Sequence, residues 1–255
     1  MTTTVHATQR RVRPLALTGA HLRRDWAIAW SYRVPFFTGL FTSVGSLVVF
    51  FFIAKLVDQS TFEATPELAN GYFAFVVVGS ALMGIMAVGL SSFAMQLQSS
   101  QTNGTLEAVA AAPTPLWLTV LLGSLYELIY ATAASVVTLA IAVAFFDVRF
   151  DVRPTGVPLV AAGVAATFML FASVGMLIAA FTLVFKRSGP LLLIINTTLA
   201  FLAGVYFPIE LLPGPVAVVA QLLPITWAVD LVRLTLLAGE LPVGRLLVLA
   251  GSAIL

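Results

Sequence analysis

Residues 71–95, GYFAFVVVGSALMGIMAVGLSSFAM, decide the fold: twenty-five consecutive residues without one charged side chain. A helix rises about 1.5 Å per residue, so this run is long enough to cross a hydrocarbon core of about 30 Å. Outward from it the signature recurs. Val34 to Ala54, Val157 to Phe185 and Pro190 to Phe207 are uncharged, and Leu116 to Phe146 holds a single charge, Glu127. Across all 255 residues, 60% are hydrophobic and 9% charged, where soluble domains carry roughly 25% charged residues. With a mean hydropathy of +1.04, the chain cannot cover a water-facing surface with polar groups. An all-α, polytopic membrane protein follows, with six transmembrane helices over about 34–56, 71–95, 116–146, 157–185, 190–207 and 243–255.

Both ends of this array differ in kind. Residues 1–14 form a basic tail, and Leu15 to Tyr32 have the pattern of an interfacial helix: Leu15, Leu22, Trp26, Ala29 and Trp30 share one side, with His21 and Arg24 opposite. Residues 1–33 are therefore a cytoplasmic tail and amphipathic helix, and 34–255 the transmembrane domain. Ala27-Ile28-Ala29 looks like a signal cleavage site but precedes the long apolar run, which argues against removal. Towards the other end, residues 208–241 are apolar yet divided by Pro208, Pro213, Pro215 and Pro224, and they carry Glu210, Asp230, Arg233 and Glu240. Each fragment is too short to cross, so a re-entrant helical hairpin is expected between helices five and six. The sixth span begins at Val243, and thirteen of its residues lie in this sequence, so its helix is expected to continue past Leu255.

Charge sets the orientation. Six arginines precede the first span, and Lys186 and Arg187 join spans four and five. Placing these segments in the cytoplasm satisfies the positive-inside rule and leaves eight acids in the outer loops and hairpin. The absence of cysteine removes disulfides, thiolate chemistry and Cys-ligated metals. Both histidines, His6 and His21, lie near the N-terminus, and neither Gly-x-Ser-x-Gly nor His-Glu-x-x-His occurs, which counts against an intramembrane enzyme.

Between the second and third spans the chain reads QTNGTLEAVAAAPTP, residues 101–115. Asn103-Gly104 supplies a turn, Thr105 an N-cap, Glu107 a charge suited to the first turn, and Pro113 a stop. The resulting helix, Leu106 to Ala112 within a coupling segment 105–112, is about 11 Å long and shows Leu106, Val109 and Ala110 on one apolar face. An ordinary interhelical loop is the plain reading of this segment; a docking helix for a soluble partner is the sharper one. Asn103-Gly104-Thr105 also matches a glycosylation acceptor, a match that cytoplasmic placement makes accidental.

Two stretches carry a family resemblance. NGTLEAVAAAPTPLW (103–117) resembles the coupling segment of type 2 ATP-binding-cassette exporter permeases, and LAGVYFPIELLPGPVAVVAQLLPITWAVDLVRLTLLAGE (202–240) resembles that family's closing signature. The two lie about 100 residues apart, in the order that family requires. The resemblance implies an exporter subunit forming half of a pore in the bacterial inner membrane, N-terminus inside. It implies pairing with a second permease copy or a homologous permease, and with separate ATPase subunits that carry ATP and Mg. Leu106, Glu107, Val109 and Ala110 would then contact the ATPase, and a drug, lipid or glycolipid would be the cargo. This chain binds no cofactor in that reading and contacts membrane lipid but no nucleic acid. Its two lysines, Lys55 and Lys186, lie outside any phosphate-binding Gly-x-x-x-x-Gly-Lys loop.

Four polar positions inside the spans are pathway candidates: Glu127, and the run Asn196, Thr197 and Thr198. A carboxylate near mid-bilayer is costly and often functional, while span-centre amides and hydroxyls serve helix packing equally well. Asp230 and Arg233, three apart, read as a local ion pair, and Ser80 and Gly84 as a close helix approach. Phe36, Phe37, Phe41 and Phe50 to Phe52 read as a lipid-facing aromatic flank. A carrier driven by an ion gradient is the rival function, with Glu127 as its proton site. Interrupted helices in both halves would favour that rival, and here only the C-terminal half is interrupted.

Overall fold

A computed structural model describes residues 23, 33–56, 71–105, 107, 111, 116–151, 153–185 and 189–254. Among them the chain is all-helical: α1 (Arg33–Leu56), α2 (Gly71–Thr102), α3 (Leu116–Phe146), α4 (Gly156–Phe185), α5 (Gly189–Leu202), a 3-10 turn Ile209–Leu211, α6 (Gly214–Leu222), α7 (Pro224–Leu237) and α8 (Val243–Ile254). Three of these, α2, α4 and the Leu121–Phe146 part of α3, are long and apolar enough to cross a membrane, and α6 with α7 forms a pair bent by 80°. The expected interfacial helix lies outside the described residues except for Arg23, which is helical and exposed, and the basic turn Lys186-Arg187-Ser188 lies outside them altogether.

α2 is the axis. In its most apolar stretch 61% of residues are buried, against 39% in α4 and 11% in α3, so α2 is the most enclosed of the three and α3 the least. In lipid no hydrophobic effect drives helices together; close van der Waals approach and interhelical hydrogen bonds do. The α2–α4 crossing is made at Gly89 and Gly175, where a Cβ on Gly175 would sit 2.5 Å from the Gly89 carbonyl oxygen. Ser80 and Gly84, the expected approach, lie elsewhere: Gly84 is exposed, and its nearest neighbour is the Ser135 hydroxyl. α3 is tied to α2 by Ser135, which donates to the Ala81 carbonyl at 2.8 Å, and by Ser92, which donates to Ser124 Oγ at 3.2 Å.

α1 packs only partly. Leu47 and Ala54 are buried, and Phe51 meets Phe73 and Phe146 edge-on at 5.6 and 5.1 Å. Phe41 and Phe52, 81% and 60% exposed, have the outward placement expected of a lipid-facing flank, so that reading holds for two of the phenylalanines and fails for Phe51.

Glycine ends two helices in the same way. Gly104 (φ +66°) closes α2, with Gly104 N–H donating to Gln101 O and Thr105 N–H to Ser100 O. Gly204 (φ +66°) closes α5, with Gly204 N–H donating to Phe201 O and Val205 N–H to Ala200 O. These paired bonds consume orphan carbonyls, and the left-handed residue between them carries no steric cost when it is glycine. α2 thus continues to Thr102, seven residues past the expected end, and α5 stops at Leu202, five short of Phe207. Beyond α5, two residues before prolines stand outside the helical region, as the following ring favours: Leu212 and Leu223 are extended, at ψ 147° and 127°. Leu223 is the corner of the bent pair.

The hairpin sits at one end of the bundle. Asp151 N–H donates to Leu236 O and Tyr72 O–H to Tyr206 O, which gathers the α3–α4 loop, the start of α2, the end of α5 and α7 together. The turn at 103–105 lies at the opposite end of α2.

Candidate functional site

At the hairpin end, α7 carries Arg233, 1% exposed within an apolar body. Its guanidinium meets three carbonyls: Nε donates to Phe75 O at 3.2 Å, Nη1 to Gly204 O at 2.9 Å and Nη2 to Val205 O at 2.9 Å. The Phe75 ring stacks 3.4 Å from Cζ. The fixed fork of N–H groups suits this task, because the carbonyls beyond Gly204 have left α5 without a helical partner. Gly79 makes room; a Cβ there would fall 2.5 Å from Nη2. One side chain therefore joins α7, the end of α5 and the first turns of α2. Spacing from Asp230 does not announce this reach, and Asp230 itself has Arg245 Nη1 3.3 Å from Oδ2.

Nearer the middle, α1 stands away from α2 and α3 and leaves a cleft of ≈ 470 Å³. Its walls come from Thr42, Ser43 and Ser46 of α1, Ser80 and Gly84 of α2, and Glu127, Tyr130, Ser135 and Thr138 of α3, with Leu47, Phe50 and Val88 as the apolar part. Helical geometry builds the polar wall, since residues four apart share a face: Thr42 with Ser46, Ser80 with Gly84, Glu127 with Ala131 and Ser135. That stripe is the sequence signal for the cleft, and only Glu127 stands out within it because hydroxyls in spans are ordinary packing groups.

The remaining candidates fall elsewhere. Asn196 lies on α5 with its Oδ1 enclosed and without a hydrogen-bond partner, while Thr197 and Thr198 are exposed. None of the three lines the cleft. Of the proposed ATPase contact, Leu106, Val109 and Ala110 lie outside the described residues; Glu107 is exposed, and Ala111 N–H donates to its carbonyl at 2.9 Å, the bond of a helical turn. Thr105 Oγ1 points back to Ser100 O at 3.4 Å, towards the end of α2. Among the described residues no group of acids and histidines is placed to hold a metal.

No curated protein matches the chain. Residues 17–237 match the family described as ABC-2 type transporter, ABC2_membrane. Permeases of this family pair with ABC ATPase subunits, and the match covers α1 to α7, both the cleft and the Arg233 contact included. With long apolar helices, a bent helix pair and a family match over most of its length, the chain belongs to the ABC-2 type transporters, as a membrane permease domain.

Proposed function

We propose that the chain is the membrane-spanning half of an ATP-driven exporter that moves a hydrophobic or amphiphilic substrate outward. It has six spans and a cytoplasmic N-terminus, pairs with a second copy or a homologous permease, and takes its energy from separate ATPase subunits. The observation that carries this reading is α2. One unbroken helix of 32 residues runs from the turn at Asn103-Gly104 to the Phe75 carbonyl that Arg233 holds. A foot at 105–112, with Leu106, Glu107, Val109 and Ala110 seated on the ATPase, would displace α2 as a unit. The hairpin, pinned to its other end, would follow, and a bistable pore would be biased between inward-open and outward-open states.

The test is co-purification with the ATPase subunit, followed by ATP hydrolysis and transport with and without Val109→Asp. A buried charge at the contact is expected to dissociate the complex or to separate hydrolysis from transport. Unchanged assembly, turnover and transport would remove residues 105–112 from the mechanism. Transport sustained by an ion gradient with no ATPase present would establish the rival carrier, for which Glu127 in the cleft is the motivating observation.

A further inference from the structure

At one rim of the bundle α1 ends, α2 begins and α3 ends, and between them lies a pocket of ≈ 250 Å³. Its floor is aromatic: Phe51 packs edge-on against Phe73 and Phe146, whose own rings stand 5.2 Å apart. Two opposite charges, Lys55 and Asp147, complete the lining, and both are exposed. Lys55 Nζ lies 4.6 Å from the Phe51 ring centre, in the last turn of α1, where a cation suits the helix dipole. Asp147 has no such support. At the carbonyl end of α3 the dipole opposes a carboxylate, and a φ of +54° makes Asp147 the one left-handed residue other than glycine among the described residues. Where α2 and α5 end, Gly104 and Gly204 take that conformation without steric cost. Among the described residues no hydrogen bond or ion pair meets the Asp147 carboxylate, and Lys55, which shares its pocket, is not close enough to make one.

Opposite charges held apart in one pocket suit a ligand that carries both signs itself. We propose that this pocket binds the head of a zwitterionic phospholipid with a primary ammonium, a phosphoethanolamine group, its phosphate against Lys55 and its ammonium against Asp147. A carboxylate only accepts, so it takes the N–H bonds of a primary ammonium, which a trimethylammonium cannot offer. A phosphoglycerol head would bring a net negative charge towards Asp147 with no cation to answer it. The lipid, not the free phosphate ester, is the occupant because the pocket stands where spans end, with Phe52, Leu56 and Phe145 exposed beside the lining residues to meet acyl chains. Sites that enclose a whole small molecule measure roughly 300–1,000 Å³; this smaller one admits a head group and leaves the chains outside. The inference needs the membrane placement of the chain and is independent of ATP coupling.

The experiment is native mass spectrometry of the full chain released from detergent micelles, titrated with dioleoyl phosphatidylethanolamine, phosphatidylcholine or phosphatidylglycerol, and read as the affinity of the first lipid bound. Phosphatidylethanolamine is expected to bind about three- to tenfold more tightly than either of the others, the scale of exposed, charge-assisted contacts. Asp147→Asn should remove the preference over phosphatidylcholine and strengthen phosphatidylglycerol binding; asparagine tolerates the left-handed turn, so the end of α3 survives the change. Lys55→Gln should weaken all three lipids, since each brings a phosphate. Equal affinity of the wild-type chain for phosphatidylethanolamine and phosphatidylcholine would overturn the proposal, as would a preference that persists in Asp147→Asn. The wild-type contrast needs no variant, so a substitution that fails to fold leaves the test intact. Free phosphoethanolamine at the concentration of the lipid should not displace it; displacement would assign the pocket to a soluble ester and end the lipid reading.

Discussion

Arg233 and Glu127 are both charges in predominantly apolar helices, and the molecule places them differently. Arg233 is enclosed, its donors spent on three carbonyls and its face on the Phe75 ring. Glu127 is exposed on the wall of a cleft between α1, α2 and α3. The hairpin end is accordingly a joint of three elements, and the cleft a place where α1 parts from its neighbours.

The largest effect should come from breaking the joint. Arg233→Met leaves the Gly204 and Val205 carbonyls without their guanidinium donors in an apolar setting, while Phe75 O, inside α2, keeps its helical partner; a loss of about 2–4 kcal/mol is expected, read by reversible unfolding in mixed micelles. Arg233→Lys keeps the charge without the fork and should recover only part of that. Next comes a paired comparison along one helix. Gly79→Ala forces a Cβ to 2.5 Å from Arg233 Nη2 and 2.9 Å from Val205 O, and should cost about 1–3 kcal/mol. Gly84→Ala, facing the cleft, should stay within about 0.5 kcal/mol. Equal costs at the two glycines would erase the distinction between joint and cleft. Ser135→Ala removes one interhelical hydrogen bond to Ala81 O and should cost about 0.6 kcal/mol. Smallest of all, Glu127→Gln, a change of nearly equal size at an exposed residue, should stay within about 0.5 kcal/mol; a large loss of stability would mean that Glu127 is a structural charge like Arg233.

Legibility in sequence followed the range of the interaction. The helices at 116–146 and 157–185 could be bounded nearly to the residue, because charge-free length and flanking Asp147 and Pro154 are local properties. The end of α5 could not. Apolar character continues to Phe207, but the helix yields at Gly204, whose carbonyl is taken by a side chain twenty-nine positions away. In the same way Glu127 is conspicuous in a row of apolar residues, whereas the hydroxyls that share its cleft come from three helices and look like packing groups in each.

By itself, the sequence determined the class, the helical content, the proline-cut hairpin and the family, since each depends on composition, local backbone preference or a short contiguous motif. Only the tertiary structure decided which glycines carry the helix crossing, what Arg233 holds and which hydroxyls share a cleft with Glu127. Those depend on the rotation and spacing of whole helices, which are set by close packing between segments distant in the chain, and no local pattern encodes them one residue at a time.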